Sequence, residues 1–512
     1  MRRSPHPRWL IIYLLVVGAC SLSLGSDSPI TGDTGEPAPA TLPTLAALSA
    51  TTTAPPTTTT APPTTTTTTT LPPGGVGAPH GTINGLTMFR GNPSRTWYGE
   101  GPIPDSLQVK WRFPDSAMCG NSPVGGEDKV WCGTGWTGQP VVWERPDGIT
   151  EIIFGAYDKN IHFLDAATGE RTKPDFPMGD IIKGSVTLDP DGFPLLYAGS
   201  RDPNFRIIAL DRETPIELWS LNADAVDGMW NNDWDSNPVV VDGMLYVGGE
   251  NSWWFAIELN RDTDGDGLVT IDPDVVFSMP AFTDELVAAV GRQQSVESST
   301  ANFEDVAYFA NSAGRVVGVD IGDLPDGEAS VVFDYWMGDD VDATIVIDGA
   351  GDLYVAAQVD LVTARAGEVG QLVKLDPDRP DDPRVWGIEV PAGGVDGGIW
   401  ATPALVDDLL FVPTNVGELL AVDTTSGEVV WRDDIGPHAW SSPVRAGDRL
   451  LVSTNCGESA ALRIYDISDP RAPVRLSENV FAGGCIEATP AVWKGGIYVG
   501  SRDGFFYALE AG

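Results

Sequence analysis

Asp262, Asp264 and Asp266 stand at alternate positions in the segment RDTDGDGLVTIDPD, Arg261 to Asp274. This is the 1-3-5 spacing with which a calcium loop wraps its side-chain oxygens around one hard cation. Gly267 falls at the sixth position, where such a loop turns sharply, and Leu268 would add its backbone carbonyl. The twelfth position, a bidentate Glu in the usual loop, is Pro273 here, so Asp272 or Asp274 has to complete the set. The segment is expected to hold a structural calcium ion that pins an insertion. The plainer reading is an acidic, Gly-rich turn.

The cysteines come next. Cys20 aside, Cys119, Cys132, Cys456 and Cys485 remain. An even number in an exported chain points to two disulfides, with three connectivities open. The local pairing, Cys119–Cys132 and Cys456–Cys485, is expected. The sequence has no Cys-x-x-Cys, which argues against a zinc ribbon or a thioredoxin-type site, and no Cys-x-x-Cys-His for an attached haem. Of the four His, only His80, His162 and His438 would remain once the signal is removed; His162 lies within a strand pattern, and His438 precedes a repeat. There is no His-Glu-x-x-His, Gly-x-Ser-x-Gly or Walker loop. Carboxylate pairs are too numerous to select two for glycosidase chemistry, and no catalytic residue is assigned.

The chain has 512 residues with 72 acidic and 31 basic side chains, a formal charge of −41. Binding to nucleic acid needs a basic footprint, so that class is excluded. Arg2, Arg3 and Arg8 precede an apolar run from Trp9 to Val17, in the manner of an export signal too short to span a bilayer. Val17-Gly18-Ala19-Cys20 resembles a bacterial lipobox, which would make Cys20 the site of lipidation. The expected layout is a signal at 1–20, a disordered Thr/Pro-rich stalk at 21–80 and a folded head at 81–512. Within the stalk, TTTAPPTTTTAPPTTTTTTTLPP cannot bury apolar surface and favours extended conformations, on the order of 100 Å in reach.

The elements that position the head's residues are spelled by one recurring phrase. Its clearest copies are PAVWKGGIYVGSRDGFFYALE (Pro490 to Glu510), PALVDDLLFVPTNVGELLAVDTTSGEVVW (Pro403 to Trp431) and PVVVDGMLYVGGENSWWFAIE (Pro238 to Glu258). Alternating apolar residues bounded by Gly, Asp and Asn read as strands and hairpins. Eight such copies, roughly 40 to 60 residues apart, predict an all-β, eight-bladed β-propeller. Aromatics at Trp219, Phe277, Trp336, Trp386 and Trp431 mark fourth strands. The last copy shows only three strands. LQVKWRFP, Leu107 to Pro114, with Trp111 in the fourth-strand position, is expected to complete that blade and close the ring.

The residues three places before each blade's entrance should ring one mouth of the central channel. They read Thr137 beside Trp136, Lys183, Asp235, Ser298, Asp342, Trp400, Trp440 and Glu487. This mixed rim is a candidate site for a small cationic or sugar-like ligand; the alternative is a solvated funnel with no ligand of its own.

Trp400-Ala401-Thr402-Pro403, Trp440-Ser441-Ser442-Pro443, Tyr498-Val499-Gly500-Ser501 and the turns Thr168-Gly169-Glu170 and Ser426-Gly427-Glu428 together resemble the PQQ-type repeat of quinoprotein alcohol-dehydrogenase-like propellers. The opening MFRGNPSRTWYGEGP, Met88 to Pro102, is similar to the lead-in of those proteins. The resemblance implies either of two branches. In the dehydrogenases a quinone lies between a Trp and a disulfide of adjacent cysteines, with calcium and an Asp base; PQQ on Trp400 or Trp440 would follow. In the cofactor-free branch the propeller binds or scaffolds envelope proteins. The absence of adjacent cysteines favours the second branch: a lipid-anchored surface propeller whose partner is an envelope or surface protein or a small ligand.

Overall fold

The computed structural model describes residues 75–124, 126–135, 138–324, 328–390, 397–454 and 460–512. Eight sheets of four or five strands follow one another along the chain as propeller blades. The four blade strands of each are antiparallel, and Gly99–Glu100 adds a parallel fifth strand to Ala491–Trp493 of the last blade. Blade six is typical: Ala404–Val406, Leu409–Pro413, Glu418–Asp423 and Val429–Asp434, joined by tight turns. The inner strands are buried on both faces, and the outer strand is half exposed, so apolar residues run almost unbroken inside and alternate outside.

The core is a ring of seven apolar clusters lying between blades. One joins Val141, Ile153 and Phe163 of blade one to Leu188, Leu196 and Ile208 of blade two. At the seam, Phe113, Phe154, Ile152 and Phe506 join blade eight to blade one. Leu107–Phe113 is the outer strand of blade eight, paired antiparallel with Phe506–Ala511 and placing Trp111 opposite Ala508.

The repeated Trp and the Gly of the Thr/Ser-Gly-Glu turn explain each other. Trp386 of blade five donates through Nε1 to the Thr424 carbonyl of blade six at 2.9 Å. Its ring covers Gly427, which has φ +73, and a Cβ there would sit 2.9 Å from the indole. Trp111 makes the same contact with Ala166 and Gly169 across the seam. At these two junctions the outer aromatic of one blade needs a glycine in the next, both for the left-handed turn and for the close approach.

The lead-in segment stoppers the channel. Its Thr87, Pro93 and Ser94 carbonyls accept from Leu188, Asn302 and Ile347, on the innermost strands of blades two, four and five. Tyr98 Oη accepts from Leu405 of blade six at 2.7 Å. Arg90 and Arg95 are fully buried. Arg90 donates to the Thr402, Pro403 and Pro443 carbonyls, and Arg95 to Phe89, Asn237 and Thr300. Inner-edge carbonyls have no further strand to bond, and the two guanidinium groups satisfy them.

Among the described residues, three two-stranded sheets stand apart from the blades. Cys119–Val124 and Glu127–Cys132 form a hairpin closed by the Cys119–Cys132 disulfide. Cys456 lies outside the described residues, as do Cys20, the signal and nearly all of the stalk. No helix among the described residues is long and apolar enough to cross a membrane.

Candidate functional site: the channel mouth

Above the plug, the residue that opens each blade's first strand binds its neighbour. The amides of Gln139, Asn237, Ser299, Thr344, Thr402 and Ser442 donate to the hydroxyls of Ser185, Ser299, Thr344, Thr402, Ser442 and Thr489 at 2.8–3.2 Å. Thr489 N returns to the Gly138 carbonyl at 3.2 Å, and Asn237 Nδ2 reaches the Ser185 carbonyl at 3.0 Å, closing the circle. This ring fixes the register of every blade.

Two residues upstream of the ring lies the mouth. Counting from Ser185, Asn237, Ser299, Thr344, Thr402, Ser442 and Thr489 gives Lys183, Asp235, Glu297, Asp342, Trp400, Trp440 and Glu487. Blade four therefore contributes Glu297 and not Ser298, whose carbonyl instead accepts from Ser236 Oγ at 3.2 Å. Blade four has Thr300 where the entrances of blades one, three, six, seven and eight have Pro, and Ser298, Ser299 and Thr300 in a row leave no mark for the register. Trp136 and Thr137 lie outside the described residues.

A second circle of side chains, from the turn after each second strand, meets the first. It comprises Tyr157, Arg201, Glu250, Ser312, Gln358, Asn415 and Arg502. The repeat offset marks these positions too, but as turn residues they drew no attention in the sequence. Their contacts with the rim are specific. Lys183 Nζ pairs with Asp235 and lies 3.6 Å from Glu250. Arg201 pairs with Asp233 at 2.6 Å. Ser295 Oγ donates to Glu297 at 3.1 Å and shares a 2.7 Å bond with Ser312, which reaches Asp342 at 3.4 Å. Gln358 Nε2 also donates to Asp342.

The other side of the mouth is aromatic. Trp400 and Trp440 stack with centroids 5.2 Å apart and planes 16° from parallel, and His438 meets Trp440 edge-on at 6.2 Å. Glu487 pairs with Arg502 at 3.0 Å. Arg502 in turn lies over the rings of Trp131, from the disulfide hairpin, and Tyr157.

Burial sets the protonation of the acidic arc. It pushes Glu297 up to about 8, with the Asp342 charge adding to it. It raises Asp342 to about 6 and holds Asp340 and Glu250 well above the usual carboxylate range. For Lys183, burial works against the charge, but Asp235 and Glu250 overcome it and hold the ammonium well above its ordinary value. The side-chain oxygens of Asp235, Glu250 and Glu297 lie within 4.8 Å of one another, the one such group of potential metal ligands among the described residues. The Lys183 ammonium is already at that point.

The aspartate-rich segment is arranged differently. Arg261–Thr263 and Val269–Ile271 form a hairpin. Asp264 spends its Oδ1 on the amides of Asp266 and Leu268, and the Leu268 carbonyl accepts from Asp264 N at 2.9 Å. Asp262 Oδ1 accepts from Thr263 N, while Asp272 and Asp274 lie beyond the hairpin. The carboxylates do not converge. What pins the hairpin is Arg261, paired with Asp189 and Asp191 of blade two, and Asp211 bound to Val269 N.

A quinone does not fit the two tryptophans. Both are buried, each ring faces the other, and no adjacent cysteines could supply the opposite plate.

Residues 368–511 match the family model described as outer membrane protein assembly factor BamB. No curated protein matches the chain. Among solved structures, BamB from Moraxella catarrhalis is similar at 13% identity and a TM-score of 0.51, over 79% of this chain and 97% of that one. Quinohemoprotein alcohol dehydrogenase from Comamonas testosteroni is similar at 14% identity and 0.52, over 83% and 80%. The quinohemoprotein alcohol dehydrogenase ADHIIG from Pseudomonas putida HK5 is similar at 12% and 0.56, over 84% and 80%. At such identities the likeness is one of fold: the chain is an eight-bladed β-propeller, and residues 368–511 match the family model.

Proposed function

We propose that this protein is an exported, lipid-anchored binding propeller. Cys20 carries the anchor, residues 21–80 hold the head away from the membrane, and the channel mouth engages a ligand or an envelope protein. The observation that carries this reading is the blind channel. One end is stoppered by Arg90 and Arg95, and the other presents a rim of partly exposed charge beside stacked aromatics. The match to an assembly factor supports a protein partner in the envelope. A structural calcium ion on Asp262, Asp264 and Asp266 would be an addition to the hairpin, not its support.

Labelling cells with a radioactive fatty acid tests the anchor. The wild-type chain should take up label and stay with membranes, and Cys20→Ala should lose both. Adding PQQ and calcium to the purified chain, followed by dye-linked oxidation of alcohols and sugars, tests the binding role. Turnover there would sink it in favour of a dehydrogenase. Cross-linking at Lys183 in intact cells should recover envelope proteins that the Cys20→Ala form does not meet.

A further inference from the structure

We propose that the acidic arc of the mouth binds a primary aliphatic ammonium group, seated between Glu297 and Asp342 and completed by Gln358. This rests on the reading of the mouth as a binding site and names the chemistry it selects.

The arc carries six carboxyl groups, Asp233, Asp235, Glu250, Glu297, Asp340 and Asp342, and two cations. Both cations sit at one end: Lys183 on Asp235 and Glu250, Arg201 on Asp233. Towards blade five no ion pair reaches Glu297, Asp340 or Asp342 among the described residues, and Glu297 stands at the border of the Lys183 group, with an oxygen within 4.8 Å of those on Asp235 and Glu250. Burying carboxyl groups without a counter-charge is costly, and the chain meets that cost by keeping protons on them.

Apart from those protons and two serine hydroxyls, this end is short of hydrogen-bond donors. Gln358 is 1% exposed, its amide nitrogen is spent on Asp342, and its Oε1 is buried with no partner. The Ser295 and Ser312 hydroxyls already bond Glu297, Asp342 and each other. A group made only of donors and bearing positive charge fits such a set of acceptors, and an ammonium is that group.

Lys183 shows the same chemistry one blade away. Its ammonium lies in a cradle of two carboxylates from neighbouring rim and turn positions, and the Glu297–Asp342–Gln358 cradle repeats that plan without its cation. A calcium-sized ion suits the arc less well. The oxygens that converge, on Asp235, Glu250 and Glu297, do so where Lys183 already is, and a hard ion wants six to eight of them. Glu297 and Asp342 are only half-buried, so an amine reaches them from solvent.

Calorimetric titration of the full chain in detergent, with n-butylamine, 1,4-diaminobutane, calcium chloride and n-butanol, tests this. Both amines should bind with proton release, more tightly at pH 8 than at pH 6, and the alcohol should not bind. Glu297→Gln with Asp342→Asn should weaken amine binding by about tenfold or more. Lys183→Met, which vacates the neighbouring cradle, should raise the stoichiometry from one amine to two. A thermal melt shows that each variant is folded. Amine affinity unchanged in the double variant overturns the proposal, as does calcium binding in the absence of amine binding. If no amine binds but the double variant loses the envelope proteins cross-linked at the mouth, the ammonium assignment fails and the binding role stands. If neither changes, both fail.

Discussion

The two ends of the channel are built from the same eight strands and settle their polar groups in opposite ways. At the plugged end, Arg90 and Arg95 are wholly buried, yet every donor faces a carbonyl or an amide oxygen except Arg90 Nε. Burial lowers them to about 10 and about 9, which still leaves both charged at neutral pH. At the mouth, carboxyl groups outnumber cations and acceptors lie buried without donors. A satisfied polar network fixes one structure, whereas an unsatisfied one costs stability until something binds. The difference separates the part of the channel that serves the fold from the part available for function.

The comparison breaks first at the plug, where the largest effect is expected. Arg95→Met removes the bonds to Phe89, Asn237 and Thr300 and strands their oxygens. A loss of about 3–5 kcal/mol in denaturant unfolding is expected. Arg95→Lys should recover little of it, because a single ammonium cannot span the same fork of acceptors. A loss below about 1 kcal/mol would mean that the plug is an ornament and that the two ends do not differ as described.

The hydroxyl ring should give an intermediate effect. Ser299→Ala leaves the buried amide of Asn237 without an acceptor, at a cost of about 1–3 kcal/mol. At the mouth, Gln358→Leu replaces an amide whose oxygen has no donor by an apolar group of similar size, and stability should change by less than about 1 kcal/mol, or rise. Equal losses at Ser299 and Gln358, measured by the same unfolding curves, would erase the contrast.

Much of the scaffold was legible because a repeat repeats its reasons. The Trp of one blade requires the Gly of the next, so Trp386 with Gly427 and Trp111 with Gly169 could be read as parts of blades from spacing alone. The mouth was half legible. Lys183, Asp235, Asp342, Trp400, Trp440 and Glu487 follow from counting back from entrance residues, and Glu297 was missed by one place where Thr300 stands for Pro. Glu250, Arg201 and Gln358 were missed because nothing in one strand-turn-strand says which neighbour it will meet. The aspartate segment is ambiguous for a chemical reason. Alternate Asp residues suit an ion-binding loop, but they equally suit a hairpin whose Asp264 caps its own amides. Arg90 and Arg95 look like surface cations in the sequence, and only the closed ring reveals a column of carbonyls that needs them.

The smallest effect is also the one that tests the mouth without any ligand. Folded Glu297 holds its proton up to about pH 8, against 4.5 for the free side chain. Between those values the folded chain keeps a proton that the unfolded chain has given up, so stability is highest at the acid side and falls as pH rises through about 8. Asp342 adds the same slope between 3.8 and about 6. Glu297→Gln cannot ionise and should lose its share of the slope, melting about 1–2 °C above the wild type at pH 8 and level with it near pH 4.5. Arg95→Met, at the other end, should shift the melt by nearly the same amount at both pH values, since the guanidinium it removes stays charged up to about pH 9. A saturating amine should do to the wild type at pH 8 what the Gln substitution does, because it supplies by charge what the proton supplied. If Glu297→Gln instead melts lower at pH 8, the carboxylate is already compensated in the folded chain, and the mouth is as closed an account as the plug.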